Sequence, residues 1–146
     1  MPKIVLPNNI ILPEVERLLA DGKEVTMKVK GNSMLPFIVG DRDSVVLSKA
    51  HTLNIGDIAL ARLDNNQYVI HRIIGISKEG VTLMGDGNLV GTEICKASDI
   101  SGQVTKVIRN GKYIDVNTDA EKRNVRLWRQ LRHVRRYLLA IYRRIM

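Results

Sequence analysis

The chain holds one cysteine, Cys95, among 146 residues. No disulfide can form within it, so nothing points to an oxidising compartment. Cys95 sits in Glu93-Ile94-Cys95-Lys96 with no distinctive motif around it, and is expected to pack as a small hydrophobe. Large aromatics are scarce, with one Trp, one Phe and four Tyr. The core must therefore be built mainly from Val, Ile and Leu, whose β-branched members favour strands. No window reaches the ~18 uncharged apolar residues of a membrane-spanning helix. The apolar run in Met1-Pro2-Lys3-Ile4-Val5-Leu6-Pro7-Asn8-Asn9 is too short, and too interrupted by proline, for a signal peptide. The expected compartment is the cytoplasm. Acidic residues also run out. Residues 121–146 carry nine Lys/Arg against Glu121 alone, whereas residues 1–120 carry 14 of each sign. The whole net charge of +8 sits in that tail, an asymmetry that points to an anionic contact surface.

What is present reads as one compact domain with an appendage. Residues 11–20 suit a short helix with Pro13 and Glu14 in its first turn, stopped by Asp21-Gly22. Apolar residues then alternate through Glu24–Lys30, the period of a half-buried strand. Further strands are expected at 44–48, 57–63, 67–76, 80–84 and 101–108, separated by Gly-Asp and Asp-Asn turn signals. Asn110-Gly111 followed by Lys112–Val116 reads as a tight hairpin. This spacing indicates a mainly β, antiparallel, barrel-like assembly. Past Asn117, Thr118 or Asp119 can cap a helix. From Val125 to Met146 there is neither Pro nor Gly. Leu127, Leu131, Val134, Leu138, Ile141 and Ile145 recur at steps of four and three, which predicts one long basic amphipathic helix. The expected division is a β domain over 1–117 and a helix over 118–146.

Three segments could carry chemistry. Ser33 follows a strand in Gly31-Asn32-Ser33-Met34-Leu35-Pro36, a constrained turn that can present a hydroxyl and nearby backbone amides. A serine needs a base, and His71 in Val69-Ile70-His71-Arg72-Ile73 lies inside an expected strand that can hold an imidazole rigidly. His51 lies in a polar loop and His133 in the basic tail. A third group that orients the base could be Asp86, in Gly85-Asp86-Gly87-Asn88. Each feature also has a plain structural use as a turn, a packed histidine or a hairpin loop.

The order of these segments, with Gly40-Asp41 and Gly56-Asp57-Ile58 between them, resembles the signal peptidase and LexA-like superfamily over residues ~25–108. It is most similar to the branch with a Ser–His pair, the endoplasmic-reticulum, archaeal and spore-former signal peptidases. The resemblance implies Ser33 as nucleophile and His71 as general base, where the bacterial signal peptidases and LexA-type repressors have a Lys. It implies Met34 and Pro36 as residues shaping the nucleophile turn on the substrate side, and Asp86 as the acidic turn. The implied reaction is amide hydrolysis through an acyl-enzyme, without metal or cofactor. The implied substrate is an extended peptide or precursor protein added as a strand. The sequence departs from this pattern at Leu89-Val90-Gly91-Thr92-Glu93, which has no further Asp. The third member of a triad is Asp86, Glu93 or absent, with Asp86 preferred. There is also no membrane-spanning anchor, and the ~24 residues before the first strand are too few for a helix-turn-helix domain.

The resemblance as a whole implies a small serine endopeptidase. The other reading is a non-catalytic peptide binder or repressor-derived regulator, which would not need both Ser33 and His71. For the tail, docking on an anionic membrane and packing or self-association are nearly balanced expectations, and nucleic acid fits least because nothing there reads bases. The first of these would place the protein at the inner face of the membrane.

Overall fold

The computed structural model describes residues 8–88, 91–131 and 134–145. The N-terminal Met1–Pro7, the pair Leu89-Val90 and, within the tail, Arg132, His133 and Met146 lie outside them. The chain opens with α1 (Asn8–Ala20), then β1 (Val25–Lys28), β2 (Asp43–Lys49), β3 (Ile58–Arg62), β4 (Tyr68–Ser77), β5 (Gly80–Met84) and β6 (Glu93–Cys95). It continues with β7 (Ile100–Arg109), β8 (Lys112–Asp115), α2 (Asp119–Gln130) and α3 (Arg135–Ile145). The expected strand segments, rich in Val, Ile and Leu, became strands, within a residue or two of their expected ends. The three-residue β6 was not foreseen, being too short to show a period. α1 begins three residues before the expected 11–20 helix. Pro13 therefore lies inside it, where it removes only the bond that would reach the Asn9 carbonyl.

All strands join one antiparallel sheet in the order β1-β2-β7-β3-β4-β5-β6, with β8 also on β7. β7 is the organiser. It pairs with β2 from Gly102 to Arg109, and with β3 and β8 over its first and second halves. Asn110 (φ 52°) and Gly111 (φ 79°) make the two-residue turn expected between β7 and β8, since such a turn needs two left-handed residues. The sheet does not close into a barrel. Among the described strands, β1, β6 and β8 have one neighbour each, and bulges in the β2–β7, β3–β7 and β4–β5 pairings curve the sheet without closing it. One core fills between α1 and the sheet, where Leu12, Val15 and Leu19 meet Val45, Leu47, Ile58, Leu60 and Val104. A second lies on the other face around Ala59, Ile73, Val81, Leu83 and Cys95.

The tail departs most from expectation. It is two helices, not one long helix. Thr118 caps α2, its hydroxyl oxygen accepting from the Glu121 amide. The buried Trp128 donates its indole N–H to the Asp86 carbonyl (2.8 Å), and Arg135 lies over the Trp128 ring and donates to the Trp128 carbonyl. Leu139 of α3 then packs with Trp128, Leu35 and Val39. In a continuous helix, Leu139 would stand about 16 Å along the axis from Trp128 and could not share that cluster. Accordingly Trp128 and Leu139, with Tyr142 partly buried, make the contact, while Leu127, Val134, Leu138, Ile141 and Ile145 of the expected stripe are exposed. No described helix is long and apolar enough to cross a membrane.

Candidate active site

Ser33 lies in the connection between β1 and β2, which closes on itself through Val29 and residues 41–43. The Val29 amide donates to the Asp43 carbonyl (3.1 Å) and the Asp41 amide to the Val29 carbonyl (2.8 Å). Gly40 is needed where it stands, because a Cβ there would overlap the Gly31 carbonyl. The carboxylate of the fully buried Asp43 accepts from the Val39 amide (2.8 Å) and from the Arg42 and Arg109 guanidinium groups. Arg109 also donates to the Phe37 carbonyl (2.8 Å). Burial pushes the Asp43 carboxyl up, but the bonds from Arg42, the Val39 amide and Arg109 outweigh it and hold the group below its ordinary value. One buried anion thus pins the loop that carries Ser33.

His71 projects from the middle of β4, opposite Ala59 on β3, and is itself buried. Its Nε2 lies 3.0 Å from Ser33 Oγ and its Nδ1 lies 2.5 Å from Glu93 Oε1. Cross-strand register explains the second contact. Ile73, Leu83 and Glu93 are successive partners across β4, β5 and β6, so they share a face with His71, two residues from Ile73. With Nδ1–H donated to the carboxylate, Nε2 is left to accept the Ser33 hydroxyl proton. The line Ser33–His71–Glu93 has the geometry of a nucleophile, a base and the group that orients the base.

Asp86 does not occupy the place expected of it. Its carboxylate receives Arg72 Nε (3.0 and 3.1 Å) and Nη2 (2.6 Å), in a pair buried at both ends. The reason is strand periodicity. Arg72 follows His71 on β4, so the two side chains leave opposite faces of the sheet, and Asp86 lies on the arginine's side. Asp86 serves the site indirectly. Its turn presses against the Ser33 loop, with the Gly87 amide donating to the Ser33 carbonyl (2.8 Å) and the Asp86 amide meeting Met34 Sδ (3.4 Å). A Cβ on Gly85 would overlap the Ser33 carbonyl, and one on Gly87 would come within 2.7 Å of the Asn32 carbonyl. Gly-Asp-Gly is thus a close-approach motif as much as a turn. Arg72 further donates to the Gly56 carbonyl (2.8 Å) and stacks over Phe37, which ties the Gly56-Asp57 turn to the same assembly.

Beside Ser33 and His71 lies a cavity of about 160 Å³, lined by Met27, Val29, Met34, Ile38, Tyr68 and Ile70 among others. Met34 lines this cavity, whereas Pro36, in the same loop, lines a separate cavity of about 340 Å³ beneath α2, with Phe37, Val107 and Trp128. The Cys95 thiol is buried on β6 and pushed up by burial and by Asp99 and Asp64, which leaves it little thiolate character.

The peptidase family described as Peptidase S24-like matches residues 6–108, from the first helix to the end of the central strand β7. That span contains Ser33, His71, Asp86 and Glu93, and the fold that carries them is the mainly β fold expected from the motifs. With most of its length inside that match, the chain belongs to the Peptidase S24-like family.

Proposed function

We propose that the protein is a serine endopeptidase that cleaves a peptide or precursor protein through an acyl-enzyme on Ser33. The observation that carries this reading is the continuous relay from Ser33 Oγ to His71 Nε2 (3.0 Å) and from His71 Nδ1 to Glu93 (2.5 Å). His71 takes the Ser33 proton as the hydroxyl attacks the scissile carbonyl, then gives it to the leaving amine. Glu93 holds the imidazole in the reactive tautomer and offsets the charge it gains. The developing oxyanion is assigned to backbone amides of the Ser33 turn. A histidine base, 3.0 Å from Ser33 Oγ, supports reading the chain as akin to the Ser–His signal peptidases rather than to the lysine-using members of the superfamily.

The substrate is assigned as an extended peptide. β1 has β2 as its one described neighbour, and residues 27–30 line the cavity beside Ser33, so a peptide can add to that edge. The cavity is small and mostly aliphatic, which suits a small or short aliphatic side chain near the cut. The test is cleavage of a library of short peptides read by mass spectrometry, with wild type, Ser33→Ala and His71→Ala compared. Products from wild type alone support the reading. Equal products from Ser33→Ala refute it, and peptide binding without cleavage by any of the three makes the chain a binding module.

A further inference from the structure

A surface helix needs one apolar side, and α3 has two. Its inner side is Leu139, with Tyr142 partly buried, against Leu35, Val39 and Trp128. Its outer side is Tyr137, Leu138, Ile141 and Ile145, continued by Val134 just before the helix, with exposures of 66%, 36%, 58%, 75% and 41%. Their spacing of three and four residues puts them on one face. Arg144, seven residues from Tyr137, borders that face, and Arg136 and Arg143 line the remaining side. Arg126, Arg129, Arg136, Arg143 and Arg144 are exposed, and no acidic residue follows Glu121.

We propose that this outer face of α3 docks on an anionic lipid bilayer. The apolar residues enter the headgroup–acyl boundary with Tyr137 at its polar edge, and the arginines reach the anionic headgroups on their long stems. A bilayer takes up both features at once. Nucleic acid would pair the arginines and leave Ile141 and Ile145 in water. A second copy would bring together two tails that each carry the full +8 excess. An 11-residue helix, about 16 Å long, also offers far less than the ~800 Å² per partner of a standard protein interface. Docking would also orient the site, because Leu139 of the same helix packs on Leu35 and Val39 of the loop that carries Ser33. The inference does not require that Ser33 be a nucleophile.

The experiment is co-sedimentation of the full chain with phosphatidylglycerol-containing vesicles and with pure phosphatidylcholine vesicles, across a salt titration. Ile141→Glu/Ile145→Glu and Arg143→Gln/Arg144→Gln are the test variants. Both change exposed side chains only, and unchanged thermal melts confirm their fold. Expected is salt-sensitive binding to the anionic vesicles, weakened roughly fivefold for each arginine removed and roughly a hundredfold or more by the paired isoleucine change. Three results would overturn the proposal. One is no vesicle binding at low salt, and another is vesicle binding that Ile141→Glu/Ile145→Glu leaves intact. The third is a dimer in sedimentation velocity, or tighter binding to duplex DNA, accounting for the surface instead.

Discussion

Replacing Glu93 with Gln is the sharpest probe of the relay, because it changes charge and hydrogen-bonding sense with almost no change of shape. In the proposed reaction His71 becomes an imidazolium as Ser33 attacks. The carboxylate oxygen lies 2.5 Å from Nδ1, with the His71 side chain 9% and the Glu93 side chain 25% exposed. With charge centres about 4 Å apart and an effective dielectric near 20, the attraction is about 4 kcal/mol. That corresponds to roughly 10³ in rate. The glutamine amide can also donate to Nδ1, which forces the proton onto Nε2 and removes the acceptor for Ser33. The combined loss should approach the ~10⁴ known for the acid-to-amide change in Ser–His–Asp enzymes. The assay is the second-order rate of acylation by a serine-directed fluorophosphonate, with thermal melting as the folding control. Glu93→Asp should recover part of the rate. Labelling of Glu93→Gln within a few-fold of wild type, with the fold intact, would refute the role given to Glu93.

Other expected outcomes separate support from chemistry. Asp86→Ala leaves buried Arg72 without its carboxylate, and should cost about 3 kcal/mol in urea unfolding, against under ~1 kcal/mol for Glu93→Gln. The Asp43 carboxyl is held below its ordinary 3.8, so its stabilising contribution is full above that pH and is lost as pH falls below it toward the folded value. The melting temperature of Asp43→Asn should therefore lie well below wild type at neutral pH, with the gap closing in acid. Cys95, buried and with its thiol pushed up, should react with iodoacetamide in native protein far more slowly than in urea, as followed by intact mass.

The residues that were legible in the sequence are those whose signal is local. The short apolar runs around Val45–Leu47 and Val104–Ile108, the Asn110-Gly111 turn and the Thr118 cap all follow from residue type and turn chemistry. The facing of Ser33 and His71 came from the order of motifs rather than from residue chemistry, because nothing local brings together positions 38 residues apart. The acid could not be chosen that way. Asp86 has the stronger turn motif, but which face of β4 it meets depends on the β4–β5–β6 register, and that register delivers Glu93 to His71 and Asp86 to Arg72. The tail reads as one stripe because periodicity weighs leucine and isoleucine alike wherever they stand. The break is set by tertiary contacts, chiefly the Trp128 indole on the Asp86 carbonyl, and these reverse which residues are buried.

The central claim is that Ser33 is a nucleophile made reactive by His71. The most direct measurement is peptide mapping of the intact protein after exposure to the fluorophosphonate. The account predicts one adduct per chain, on Ser33, absent from Ser33→Ala and nearly absent from His71→Ala. Equal labelling of all three proteins, or an adduct on another residue, would contradict it.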